Sequence, residues 1–257
     1  MEVPIKLSVL MACLKKRPWK RVKSRMESLM EGRNDVEFLY ELDNGERTSG
    51  QKRQILMERA LGEYVCFVDD DDDVYQSYID RIFEGIEKGV DVVSFDLKMT
   101  GGKKGKEIWK FGMYANDRRQ GNMCVNHLCV WRRSLASKVA WCPDLGYQDD
   151  SVWFLPLFHS GLIESHYHID EVLYLYKYSS IGTVNQRREK LRYSNNEYLK
   201  NGIRCFFDKQ RKIVLEVPEI AKSYLQHNSH EVCVRDRTNK VFVKNLSELD
   251  QYFWISK

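Results

Sequence analysis

Several features are missing from this 257-residue sequence, and each absence argues against a particular class of protein. No uninterrupted apolar run approaches the roughly 20 residues that a membrane-spanning helix needs, so we expect no stable membrane insertion. At the N-terminus the basic residues follow the apolar run, which is the reverse of a secretory signal, and we expect a cytoplasmic protein. The seven cysteines include no CxxC pair, which argues against a zinc ribbon or redox motif and favours buried, reduced thiols.

Two common nucleotide-binding signatures are also missing. Neither GxGxxG nor GxxxxGK[ST] follows the first predicted strand, so neither a dinucleotide-binding fold nor a P-loop is indicated. The net charge is only +4, but basic residues concentrate at residues 15–25, 98–119 and 187–211. A basic surface suits an anionic partner, and an ordinary solvated basic face is the alternative.

Strand and helix patterns alternate four times in the first 95 residues. Strands are predicted by apolar runs at residues 5–13, 36–42, 64–68 and 90–95, and helices by the apolar spacing of residues 19–30, 48–61 and 75–88. Short connections between alternating elements are typical of right-handed βαβ units. We therefore expect an α/β fold with a mostly parallel central sheet flanked by helices.

The remaining sequence is less regular. It predicts a hairpin or mobile loop at residues 100–122, strands at 125–131 and 165–178, and helices at 132–139 and 148–160. Beyond residue 185 we expect a basic helical stretch, then a hairpin and an amphipathic helix.

The most informative segment is YVCFVDDDDDV, in which five aspartates follow a predicted buried strand. Adjacent ionised carboxylates repel one another and are costly there unless something neutralises them. A divalent cation is suitable, because it seeks oxygen ligands and needs only one or two protein carboxylates when it also holds a diphosphate. Ligands of open α/β sheets bind beyond the carboxyl ends of the strands, which is where the run begins. A solvated acidic loop is the alternative.

Residues 50–74, GQKRQILMERALGEYVCFVDDDDDV, resemble the core signature of family 2 glycosyltransferases. Arg53 matches the arginine of that family, ALGEY matches its A-x-G-E-Y, and Asp69 and Asp71 match its D-x-D motif. The resemblance covers residues 5–180. It implies a GT-A fold, a nucleoside-diphosphate sugar donor (a UDP-sugar is favoured), and Mn²⁺ or Mg²⁺ bridging the aspartates to the diphosphate, with Asp71 as the first ligand.

The same resemblance implies a nucleotide pocket. Asp43, after the second strand, matches the aspartate that recognises a uracil-type base in similar enzymes. The first strand ends in MACLK, where the family has a Thr-Tyr-Asn-type loop, so contacts around Ala12 would come from the backbone. The remaining implied donor-binding residues are Arg53, Asp69, Asp70 and Asp71.

A second acidic pair, Asp149-Asp150, opens a predicted helix. Sugar transfer with inversion needs a base to take the proton from the acceptor hydroxyl, while a metal neutralises the leaving diphosphate. The family carries its base in an acidic pair at this position, which implies Asp150 as the base and Asp149 as its neighbour. Stabilisation of a helix N-terminus by two carboxylates is the alternative.

Two further groups of residues are candidates for the site. The segment VNHLCVWRR matches the acceptor-side segment of the family. His168, which alternates with His166 on one strand face, is a candidate third metal ligand beside Asp69 and Asp71. A structural role is the alternative in each case. The candidate acceptor contacts are Asn126, His127 and Trp131.

We therefore expect an inverting, metal-dependent glycosyltransferase, with a GT-A catalytic domain at residues 1–184. A small helical and hairpin extension at residues 185–257 would pack on it. The acceptor is open between a polysaccharide, a lipid-linked sugar, a protein, and a hydroxymethylated base in double-stranded DNA. The DNA acceptor rests on a loose resemblance to phage enzymes, which would act in the host cytoplasm.

Two other classes of function are alternatives. A noncatalytic nucleic-acid-binding module would use the basic stretches, but five aspartates would repel phosphates unless a metal neutralised them. A metal-dependent phosphotransferase or nuclease would use the aspartates, but it would need further carboxylates or histidines at spacings that the sequence lacks.

Overall fold

The computed structural model describes residues 3–101, 107–113, 120–141, 143, 149–159 and 161–177, together with four short strands beyond them. The first half of the chain alternates strands with helices, as the sequence predicts. Its elements are β1 (Leu7–Leu14), α1 (Trp19–Leu29), β2 (Val36–Asp43), α2 (Ser49–Arg59), β3 (Tyr64–Phe67), β4 (Asp73–Val74), α3 (Tyr78–Ile86) and β5 (Val92–Thr100).

The elements after β5 are shorter. They are β6 (Ile108–Gly112), β7 (Asn122–Cys124), β8 (Val130–Arg132), α4 (Arg133–Ala136), α5 (Asp149–His159) and β9 (His166–Lys177). The predicted strand at residues 125–131 is confirmed only at its end. It begins late because the Asn126 side-chain oxygen accepts the Leu128 amide at 2.9 Å, which makes a turn instead of extended chain. In the predicted hairpin region, β6 pairs with β5.

Nine strands form one sheet, with the order β2-β1-β3-β8-β5-β6-β7 and with β9 pairing both β5 and β4. The prediction of a mostly parallel sheet is wrong, because the sheet is mixed. β1 is parallel to β2 and β3, but β8 is antiparallel to β3 and β5, and β6 is antiparallel to β5. The short connection explains only the antiparallel β5–β6 pair, since parallel neighbours usually need a longer crossover. The antiparallel position of β8 comes from pairing between strands far apart along the chain.

The four strands beyond residue 177 form two antiparallel pairs. They are β10 (Arg204–Phe207) with β11 (Ile213–Glu216), and β12 (Val232–Arg235) with β13 (Lys240–Val243). The β12–β13 pair agrees with the predicted hairpin. The boundary predicted at residue 184 and the final amphipathic helix lie outside the described residues.

The thiols whose environment is described behave as the sequence predicts. Cys13, Cys66 and Cys129 are buried and unbridged, and Cys124 is buried as well. Burial raises the pKa of the Cys66 thiol to about 12, so this sulfur stays protonated and inert. Within the described ranges, no helix combines the length and apolar character needed to cross a membrane.

Close backbone packing explains why the ALGEY motif has a glycine at residue 62. Gly62 connects α2 to β3 so close to β1 that a Cβ atom would lie 2.5 Å from the Ser8 nitrogen and 2.7 Å from the Tyr64 oxygen. Both are backbone atoms and cannot rotate away. We expect Gly62→Ala to lower the free energy of unfolding by about 1–3 kcal/mol through overpacking, measured by urea denaturation. The adjacent Leu61→Ala, at a side chain 68% exposed, is the control; equal stability of the two variants would contradict this reason.

Candidate functional site

The carboxyl ends of β1, β2 and β3 meet at one edge of the sheet. The parallel registers place Leu14 beside Asp43 and Leu10 beside Phe67. The aspartate run therefore begins next to the last residues of strand β1, where ligands of an α/β sheet are expected to bind. A bond across the edge confirms the proximity, since the Leu14 amide donates to Asp70 Oδ2 at 2.7 Å.

Two of the five aspartates are structural. Asp70 accepts from the Leu14 amide and, at 2.8 Å, from Arg17 Nη1. Asp72 accepts from the Tyr174 hydroxyl at 2.9 Å and from the Lys177 amide at 2.8 Å. Both carboxylates are only 1% exposed. Each carboxylate oxygen accepts one bond that helps to hold β1, the aspartate turn and β9 together. Because both side chains are also buried, they are poorly placed to bind a ligand.

Asp69 and Asp71 differ from these, because each side chain is 28% exposed. Asp69 Oδ1 accepts from Arg53 Nη2 at 2.9 Å. Asp71 Oδ2 is 3.6 Å from Arg17 Nη1, beyond hydrogen-bond distance. Burial, together with the charges of Asp69 and Asp70, raises the pKa of Asp71 to about 6 despite Arg17. Accessible and buried side chains thus alternate from Asp69 to Asp72, and the accessible Asp69 and Asp71 have D-x-D spacing.

Basic side chains neutralise part of the run, which sequence reasoning missed. Arg17 contacts Asp70, and Asp73 lies 3.3 Å from Arg21 and 2.8 Å from Lys177 Nζ. Burial opposes the ionisation of Asp73, but Lys177 and the Val74 amide hold its pKa below the usual value. The signal was in the sequence, where residues 15–25 hold seven basic residues that could pair with the five aspartates. Arg17 and Arg21 of that stretch therefore form ion pairs with aspartates of the same chain.

Arg53 joins the two predicted acidic sites. Its Nη1 donates to Asp149 Oδ2 at 2.7 Å and its Nη2 to Asp69 Oδ1 at 2.9 Å. The guanidinium also lies over the ring of Trp141, 5.0 Å from its centroid. Since α5 begins at Asp149, this arginine fixes the N-terminus of α5 against the end of β3. Burial raises the pKa of Asp149 despite the adjacent Arg53.

The two members of the second acidic pair have different environments. The Asp149 side chain is 5% exposed and paired with Arg53, whereas the Asp150 side chain is 31% exposed. His127 lies between Asp150 and the aspartate run. Its Nδ1 is 3.6 Å from Asp150 Oδ2, and its Nε2 is 3.6 Å from Asp69 Oδ2. Of the pair, Asp150 is therefore the carboxylate that a substrate can reach.

All three candidate acceptor contacts are buried, and His127 is itself only 6% exposed. Asn126 is 6% exposed, and its side-chain oxygen is used by the Leu128 amide. Trp131 has no exposed surface, and its Nε1 donates to the Asn126 carbonyl at 2.7 Å. Trp131 thus lies in the core, where it packs edge-on against Trp153. It supports the turn that carries His127, and its buried ring is not accessible to a substrate.

Asp43 and Ala12 lie at the predicted nucleotide end of the site. Ala12 is partly buried near the end of β1. Asp43 is 6% exposed and accepts from Lys52 Nζ at 2.9 Å and from the Gly45 and Arg47 amides. Burial opposes ionisation, but Lys52 and the two amides hold the pKa of Asp43 below its usual value. The carboxylate thereby orders the loop after β2.

The buried Lys52–Asp43 ion pair is expected to contribute to the stability of the fold. Its ammonium is 3% exposed and also donates to the Cys13 carbonyl at 2.7 Å. We expect Lys52→Met to cost about 3 kcal/mol, since removing one member of a buried pair leaves the other charge uncompensated. Urea denaturation measures the loss. Adding Asp43→Asn should cost less than the sum of the single changes, and additive losses would contradict a coupled pair.

His168 does not join the aspartate run. β9 pairs β4 at Tyr174 and Leu175, while His168 lies six residues before Tyr174 on the same strand. Opposite these residues β5 advances only from Ser94 to Leu97, three residues or about 10 Å, because β9 bulges between them. Among the described residues, His168 shares no group of potential metal ligands with Asp69 or Asp71. It instead contacts Ser94 and Asp96 of β5, at 2.9 Å and 3.2 Å.

Comparison with solved structures shows which fold this is. S. aureus TarS matches with a TM-score of 0.52 and 13% identity, over 68% of this chain and 37% of that chain. TarS 1-349 in complex with UDP-GlcNAc matches with a TM-score of 0.52 and 14% identity, over 68% of this chain and 59% of that chain. No protein-family model and no curated protein matches the sequence. The chain shares its α/β fold with TarS and spans less than two thirds of the length of these structures.

Proposed function

We propose that this chain is a glycosyltransferase that uses a nucleotide-sugar donor held through a divalent cation. One observation carries the proposal: of five consecutive aspartates, Asp69 and Asp71 are accessible, while Asp70 and Asp72 are buried and hydrogen-bonded within the chain. The side chain of Asp73 is 23% exposed, but it is paired with Lys177 at 2.8 Å. This pattern supports Asp69 and Asp71 as the D-x-D pair that the resemblance to family 2 implies. The shared fold supports the donor class, because TarS was solved in complex with UDP-GlcNAc.

The accessible carboxylates fit a hard cation. Asp71 has a raised pKa and lies 3.6 Å from the nearest guanidinium nitrogen, so its oxygens can take a stronger partner. Asp69 is already oriented by Arg53 and would supply a second oxygen. Mn²⁺ or Mg²⁺ bound there would neutralise the negative charge that develops on the leaving diphosphate. The backbone around Ala12 would line the nucleoside, while the buried Asp43 would order the loop beside it through Lys52 and the Gly45 and Arg47 amides.

Asp150 is the proposed general base. It is the exposed member of its pair, and it lies at the N-terminus of α5, which Arg53 and Asp149 hold against the aspartate run. A carboxylate there can accept the proton of an acceptor hydroxyl as that hydroxyl attacks the anomeric carbon. His127, between Asp150 and Asp69, is the candidate acceptor contact that lies nearest the reacting groups.

Donor turnover tests the proposal without knowledge of the acceptor. The purified chain is incubated with UDP-GlcNAc and Mn²⁺, and UDP release is measured against the same reaction with EDTA. Slow, metal-dependent release is expected, because water can replace the acceptor hydroxyl. Absence of release from UDP-GlcNAc and from a panel of other UDP- and GDP-sugars would argue against a transferase.

The acceptor class stays a sequence-based hypothesis. Most of the basic stretches at residues 98–119 and 187–211 lies outside the described residues, and the TarS comparison carries no information on DNA. Binding to a DNA duplex across a salt series tests the DNA alternative, since phosphate contacts release condensed counterions and make affinity fall steeply with salt. Absent or salt-independent binding would leave a glycan or protein acceptor.

A further inference from the structure

A second cluster of metal-ligating side chains lies on the sheet, away from the aspartate run. Asp96 of β5 and His168 and Asp170 of β9 each offer a ligand atom, and these atoms all lie within 4.8 Å of one another. Alternation along each strand puts Ser94 and Asp96 on one face, and His166, His168 and Asp170 beside them. The register shifts at Asp96, so that β9 bulges where Asp170 stands.

The hydrogen bonds of Ser94 determine which His168 nitrogen faces the cluster with a lone pair. The hydroxyl has one proton, and it is used on the Phe111 carbonyl at 2.9 Å, because a carbonyl can only accept. His166 Nε2, at 2.8 Å, and His168 Nδ1, at 2.9 Å, must then donate to the Ser94 oxygen. A neutral His168 therefore directs the lone pair of Nε2 away from Ser94, toward Asp96.

This leaves two buried electron-rich atoms facing each other. His168 Nε2 and Asp96 Oδ1 are 3.2 Å apart, yet neither has a hydrogen-bond partner among the described residues. Asp96 is only 5% exposed, so water can do little to offset the negative charge of its carboxylate. Metal–ligand bonds of about 2.1 Å place neighbouring ligands about 3.0 Å apart in an octahedron and about 3.4 Å apart in a tetrahedron. The observed distance lies between these two values.

We propose that Asp96, His168 and Asp170 bind a divalent transition-metal ion at a site separate from the donor site. One imidazole nitrogen and two carboxylates suit Zn²⁺ or a similar ion better than Ca²⁺ or Mg²⁺, which prefer oxygen ligands alone. Ser94, which is bonded to Nδ1, would fix the orientation of the His168 ring, as outer partners of metal-bound histidines commonly do. The ion would fasten the start of β9 to β5.

Lys110 is the competitor for these carboxylates. Its Nζ lies 3.1 Å from Asp170 Oδ1 and 3.8 Å from Asp96 Oδ2. The lysine side chain is 51% exposed and can move into solvent when an ion binds. Removing its positive charge should favour the ion.

Zn²⁺ titration by calorimetry, carried out in an Asp71→Ala background to remove the donor-site metal, tests the site. We expect one Zn²⁺ per chain, at least tenfold weaker binding after His168→Gln or Asp170→Asn, and tighter binding after Lys110→Met. Asp170 is 82% exposed, so its variant should fold normally, which circular dichroism checks. Absence of Zn²⁺ binding in the Asp71→Ala protein, or equal affinity after both ligand changes, would overturn the proposal and leave an Asp96–His168 ion pair.

Discussion

Replacing Asp71 with alanine is expected to abolish Mn²⁺-dependent binding of UDP and all turnover. The physical reason is that the exposed Asp71 carboxylate is the group best placed to bridge a cation to the diphosphate. Without that bridge, the diphosphate charge would face Asp69 and the rest of the run directly. Calorimetry of wild type and variant with UDP, with and without Mn²⁺, measures the loss.

Two controls separate this role from folding. Asp80→Ala, at an α3 side chain 78% exposed, should leave UDP binding unchanged. Asp70→Ala should mainly lower stability, because it leaves the buried Arg17 contact and the Leu14 amide without their acceptor. Asp71→Ala should not lower the free energy of unfolding at pH 7, since the raised pKa of Asp71 means that its ionisation is unfavourable in the folded state. Unchanged metal-dependent affinity in Asp71→Ala would remove the D-x-D assignment.

Replacing Asp150 with asparagine should give a different phenotype. The amide keeps the shape of the carboxyl group but cannot accept a proton, so transfer should fall by about 10²-fold or more. UDP binding should persist, because Asp150 does not touch Asp71 or Arg17 in the structure. Rates with saturating donor, together with UDP affinity by calorimetry, measure the two effects separately.

Asp149→Asn is the matched control for this second change. It removes the charge that pairs with the buried Arg53, so stability should fall together with activity. If Asp149→Asn lost activity without losing stability while Asp150→Asn stayed active, the base assignment would be off by one residue. If neither change slowed transfer, the base would lie elsewhere.

The first half of the fold could be predicted because its signals are local. Apolar runs and helical spacing fix β1 to α3, and Thr48 caps α2 through a capping box with Gln51. The mixed half could not be predicted in the same way. The position of β8 between β3 and β5 depends on long-range pairing, and a strand of three residues carries little pattern.

The candidate site was predicted in part for a similar reason. The sequence places acidic residues at the carboxyl end of β3, but only the fold shows that Asp70 and Asp72 are buried against Leu14 and Tyr174. The resemblance implied Asp150 as the base, but only the fold shows that Asp149 is paired with Arg53, which is 96 residues away along the chain. The sequence could not show that His168 contacts Ser94 and Asp96, because this depends on the pairing of β9 with β5.

The most direct test of the central claim is a crystal structure of this chain with UDP and Mn²⁺, with the ion located by its anomalous scattering. We expect a single strong peak within coordination distance of the Asp71 carboxylate and of the diphosphate, with Arg53 still bonded to Asp69. A nucleotide bound elsewhere on the sheet, or an ion bridged to the diphosphate by residues other than Asp69 and Asp71, would contradict it.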